Sequence, residues 1–97
     1  MRRYKLATPA RQDLADIYAY IANDNASAAK RLINELHASF RMLADAPQLG
    51  TLRPEYRTEA VRTFSVRNYV VFYQYLDGVL EVYRVFHGAR EIDSLMS

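Results

Sequence analysis

Between Ala26 and Asp45 the apolar residues fall on one helical stripe, and after residue 60 the apolar period switches to two. A chain with both patterns must lay helix faces on a sheet face, because neither element buries its apolar side alone. The stripe is Ala29, Leu32, Ile33, Leu36, Phe40 and Leu43. It predicts a helix of about 30 Å, stopped by Pro47 and Gly50. Upstream, Leu14, Ile17, Tyr18 and Ile21 stand at i, i+3, i+4 and i+7, the spacing of one helical face. Thr8 is placed to cap that first helix and Pro9 to open it. Asn23-Asp24-Asn25 ends it and supplies a cap for the second. So short a link makes the two helices an antiparallel hairpin.

The remaining elements read as strands. Arg2 to Ala7, with Tyr4 and Leu6 alternating, is one. Residues 48–60 read as a polar connection. Val61 to Val66, Tyr69 to Leu76 and Val79 to Phe86 follow, joined by Arg67-Asn68 and by Asp77-Gly78, a strong two-residue hairpin signal. The order β-α-α-β-β-β predicts one α+β domain over residues 1–97. Its N-terminal strand and helical hairpin accompany a three- to four-stranded, mainly antiparallel sheet. Val71, Tyr73 and Tyr75 share one face of the middle strand, Val70, Phe72 and Leu76 the other. With helices on one side, the second face is expected to be an exposed aromatic surface, the kind that marks a partner site.

Composition narrows the chemistry. The chain has 97 residues and a formal net charge of +2, from 13 basic and 11 acidic side chains. That margin is too small for a strongly cationic nucleic-acid binder, so no direct nucleic-acid binding is expected. Without cysteine there is no disulfide, thiolate metal site or cysteine nucleophile. His37 and His87 lie fifty positions apart and share no metal-ligand spacing, so no metal or cofactor is expected. No apolar run approaches the ~18 residues of a membrane span. The N-terminus, MRRYKLATPA, lacks the apolar core of a signal peptide. A cytoplasmic protein is the expectation.

Catalytic patterns are sparse. No serine sits in a nucleophile elbow, and there is no glycine-rich phosphate loop. Asp13 and Asp16, three apart on the first helix, read as a solvated face near its N-terminus. Metal-free RNA cleavage would need a base, an acid and cations for the phosphate. Arg62, Arg67, Arg84, His87 and Arg90 lie on or beside the strands. Strand alternation puts Arg84 and His87 on opposite faces, which weakens them as an acid–base pair.

Several segments, in order, carry a family resemblance: TPARQDLADIYAYI, AKRLINELHASFRML, DAPQLG and VRNYVVFYQYLDGVLEVYRVFHGAREI. Together they resemble the RelE/ParE superfamily of type II toxin–antitoxin toxins over nearly the whole chain. The marks of the ParE branch are Pro9, the Asp13-Leu14…Ile17…Tyr20-Ile21 run, Pro47…Gly50, Tyr69…Phe72-Tyr73 and Val85-Phe86-His87-Gly88-Ala89-Arg90.

The resemblance implies a helical hairpin on a sheet and inactivation by a cognate, ParD-like antitoxin in a hetero-oligomer. ParE-like toxins are described as blocking DNA gyrase, and RelE-like toxins as cleaving messenger RNA on the ribosome. RelE-like ribonucleases usually carry basic residues ahead of the second strand, arginines on the strands, and a Tyr or His near the C-terminus; Arg53, Arg57, Arg62 and Arg90 could fill some of those places. After Arg90 this chain reads EIDSLMS, with no Tyr, His or Lys. That departure favours a toxin acting by binding, not an enzyme. Its antitoxin- or target-binding candidates are Tyr18, Ile21, Phe40, Arg62, Tyr73, Arg84 and Arg90. The rival reading is a ribonuclease using Arg62, Arg84, His87 and Arg90; a third is an interaction module that has lost toxicity.

Overall fold

A computed structural model describes residues 3–55 and 60–88. Its elements are β1 (Arg3–Leu6), α1 (Thr8–Ala22), α2 (Ala26–Asp45), a 3-10 turn at Pro47–Leu49, β2 (Thr51–Leu52), β3 (Arg62–Val66), β4 (Tyr69–Leu76) and β5 (Val79–His87). Arg57, Arg90 and the C-terminal tail lie outside the described residues.

The strands form one sheet in the order β1-β5-β4-β3-β2. β5, β4, β3 and β2 pair antiparallel, and β1 joins β5 in parallel, with Arg3 opposite Val79 and Leu6 opposite Val82. The sheet therefore has five strands, one more than the sequence pattern predicts. The addition, β2, falls in what reads as a polar connection. Two residues have too little pattern to announce a strand, and they pair because β3 offers an open edge.

Turn chemistry fixes the hairpins. Asp77 and Gly78 both have positive φ (52° and 78°), as a type I′ turn requires. The helix caps divide. Asn25 caps α2, its side chain accepting the Ala28 N–H at 3.0 Å. The cap of α1 is Ala7, not Thr8, and no side chain serves it. Thr8 is drawn into the helix because the Ala7 N–H is committed to the Val82 carbonyl, extending the β1 ladder by one bond.

The hairpin covers one sheet face. Ala10 and Leu14 of α1 and Leu32, Leu36, Phe40 and Leu43 of α2 pack on Val71, Tyr73, Leu80, Val82 and Val85. On the opposite face the expected exposed aromatic surface is not found. Phe72 and Phe86 are both buried, edge to face at 5.4 Å, with Val61 packed against them. The Arg84 guanidinium lies 4.4 Å from the Phe86 ring centre. An irregularity in the β4–β5 ladder sets Phe72 opposite Arg84 and Tyr73 opposite Val82, so Tyr83 is an inserted residue. Tyr83 and Arg84 thus both belong with this second cluster, while Val82 and Val85 stay in the main core.

β1 is tied to α2 by an aromatic group. Tyr4 Oη lies 2.7 Å from His37 Nδ1, and both rings pack on Phe40 at 5.5 Å. Burial first, and then the charge of Arg41, push His37 below its ordinary pKa. The unfolded chain therefore binds this proton more readily than the folded one. Stability from His37 is present above its unfolded pKa and is lost as pH falls through its folded one. The thermal midpoint should fall between about pH 7 and pH 5, with a shallower slope in His37→Gln. An equal slope in that variant would contradict the assignment.

No helix among the described residues is long and apolar enough to cross a membrane.

Candidate functional site

The arginines read as candidate site residues are mostly committed within the fold. Arg84 makes a bidentate pair with Asp13, Nε to Oδ2 at 2.8 Å and Nη2 to Oδ1 at 3.0 Å. The Val85 N–H donates to the same Oδ2 at 2.8 Å. The register explains the contact. β1 pairing ends at Leu6 and Ala7, leaving the next stretch of the β5 edge without a strand neighbour. Asp13 on α1 supplies the missing acceptor there. Its side chain is only 11% exposed, so the expectation of a solvated Asp13 is overturned. An i, i+3 acidic pair looks like a wet helix face; the partner that changes this lies 71 residues away.

Arg62 donates from Nη1 to the Gly50 carbonyl at 2.8 Å. Tyr73 grips the same corner: its hydroxyl accepts the Gly50 N–H at 2.9 Å and donates to the Pro47 carbonyl at 2.5 Å. Burial raises the Tyr73 pKa, against a smaller opposing effect of the Gly50 bond. Tyr73 and Phe40 are both 0% exposed. Their place is the core, and neither offers surface to a partner in this fold. Arg53 donates from Nε to Thr63 Oγ1 at 2.9 Å, fastening the segment after β2 to β3.

His87 stacks edge to face on Tyr69 at 5.4 Å, on the helix-covered side of the sheet. Arg84 lies with Phe86 on the other side. The structure therefore does not bring Arg84 and His87 together. Tyr18 is 41% exposed on α1, and Ile21 is half-buried.

Ile21 also lines an open niche of about 280 Å³ where the α1–α2 corner faces the β3–β4 turn. Ala28, Arg31, Leu32, Glu35, Arg67, Asn68 and Tyr69 complete it. Glu35 takes Arg67 bidentately, with Nη2 to Oε1 at 2.7 Å and Nε to Oε2 as the second contact. That hydrogen bonding outweighs an opposing desolvation and, with lesser help from the charges of Arg67 and Arg31, holds the Glu35 carboxyl below its ordinary pKa. Arg67 has φ 53°, a left-handed turn conformation that directs this side chain back over α2. Sequence reading recognised the turn but not the niche, because its members come from three separate stretches. Among the described residues no group of three or more His, Cys, Asp or Glu is placed to hold a metal ion.

A chain of the chromosomal ParDE toxin–antitoxin system of P. aeruginosa superposes with a TM-score of 0.71 at 19% identity, over 90% of this chain and 96% of that one. The sequence pattern of the ParE toxin of the type II toxin–antitoxin system parDE matches residues 4–92. The chain belongs to the ParE toxin family. No curated protein matches it.

Proposed function

We propose that this ParE-family toxin arrests growth by occupying DNA gyrase, without chemistry of its own, and that a cognate ParD-like antitoxin holds it inactive in a cytoplasmic hetero-oligomer. The observation that carries the reading is the family match over residues 4–92. The commitments of the arginines support it. A ribonuclease needs cations free to meet a developing phosphate charge, yet Asp13 holds Arg84 and the Gly50 carbonyl engages Arg62. A general acid–base pair needs both groups on one side of the substrate, and Arg84 and His87 occupy opposite faces of β5. An amphipathic antitoxin helix or strand fits the apolar surface around Tyr18 and Ile21 best.

Two experiments test the two halves. Induction of this chain alone should stop growth, and co-expression of its antitoxin should restore growth and yield a co-purifying complex. Arrest without rescue or complex would remove the antitoxin half. The gyrase half rests on the supercoiling assay that closes the Discussion.

A further inference from the structure

The niche between α2 and the β3–β4 turn carries a binding site of defined chemistry. Ile21, Leu32 and Tyr69 give it apolar surface among polar neighbours. Its charged members are Arg31, Arg67 and Glu35, two positive against one negative. Glu35 consumes Arg67. Arg31, one helical turn before Glu35, is exposed and reaches Glu35 through its charge. The niche thus pairs an apolar seat with one exposed guanidinium. At about 280 Å³ it falls at or below the ~300–1,000 Å³ of small-molecule pockets, a size for one side-chain anchor.

We infer that the niche receives an acidic peptide segment, which seats one leucine- or phenylalanine-sized side chain on Ile21, Leu32 and Tyr69 and places a carboxylate on Arg31. The Arg67–Glu35 pair fixes the niche's width by tying the β3–β4 turn to α2. The site stands on the geometry alone; its assignment to the antitoxin's acidic segment rests on the reading above.

The test is an NMR titration of the full chain with N-acetyl-L-leucine and, in parallel, its uncharged amide. Saturable shifts should cluster at Ile21, Arg31, Leu32 and Tyr69, with the acid binding about tenfold more tightly than the amide, as one charge-assisted hydrogen-bonded contact gives. Arg31→Gln should bring the two probes within about twofold while the rest of the spectrum is unchanged. Ala28→Phe, which fills the niche, should abolish binding of both. Equal affinity of acid and amide, shifts elsewhere, or no saturation at tens of millimolar would overturn the site. With the intact antitoxin, Arg31→Glu should weaken the complex at least about tenfold, mainly through faster dissociation. An unchanged affinity would overturn the assignment of the occupant and leave the probe results standing. If the chain binds no antitoxin at all, the earlier reading fails, and the probe titration still decides the niche.

Discussion

Gly50→Ala is expected to cost about 3–5 kcal/mol of folding stability. Gly50 has ordinary extended backbone, φ −76° and ψ 161°, so conformational freedom is not the reason. Space is. A Cβ there would lie 2.1 Å from Tyr73 Oη and 2.8 Å from its Cε1 and Cζ. Tyr73 is fully buried and has nowhere to retreat. Moving it would strand the Gly50 N–H and the Pro47 carbonyl, each worth about 1–3 kcal/mol when left unpaired and buried, and would disturb the packing under α2. Domains of this size are stable by roughly 5–15 kcal/mol, so the melting temperature should fall by at least about 12 °C. The pair should also be coupled. Tyr73→Phe alone should cost about 1–3 kcal/mol, but it removes the atom the new methyl strikes hardest. The double variant should therefore be more stable than the sum of the singles predicts. A Gly50→Ala protein melting within about 3 °C of the parent would refute the account of this corner.

Asp13→Ala is the second large effect, about 2–4 kcal/mol. The variant leaves the Val85 N–H without its acceptor at the β5 edge and Arg84 without its carboxylate. The Arg84 side chain is 42% exposed, so solvent recovers much of its share, and most of the loss belongs to the backbone bond and the near-buried position of Asp13. Asp13→Asn, which keeps an acceptor for Val85, should lose roughly half as much. Arg84→Ala should cost less than Asp13→Ala for the same reason. Urea unfolding should show these as shifts of the midpoint at unchanged slope. An Asp13→Ala midpoint equal to the parent's would mean that α1 is not held to β5 through this carboxylate.

The elements with long periodic patterns were legible. The α2 stripe and its ends at Ala26 and Asp45 agree with the structure, as do the Asp77-Gly78 turn and the Asn25 cap. What escaped depends on distant partners. β2 exists because β3 has a free edge, the α1 cap shifts because Val82 claims Ala7, and Asp13 is dry because Arg84 and Val85 reach it. The second sheet face read as exposed because Val61, read as part of a neighbouring strand, had no visible role as its cover. Of the candidate binding residues, Ile21 lies on the niche, whereas its charged members went unremarked or were read singly. Arg67 reads as a turn residue and a cation beside the strands, and nothing in the sequence singles out Glu35.

The claim that this toxin acts by binding gyrase is tested most directly by adding the purified protein to gyrase and relaxed plasmid, while transcripts are mapped after induction in cells. Blocked supercoiling or trapped cleaved DNA, with transcripts intact, is the predicted result. Normal supercoiling together with codon-positioned cuts in messenger RNA would contradict it, and would make His87 and Arg90 the first residues to test for chemistry.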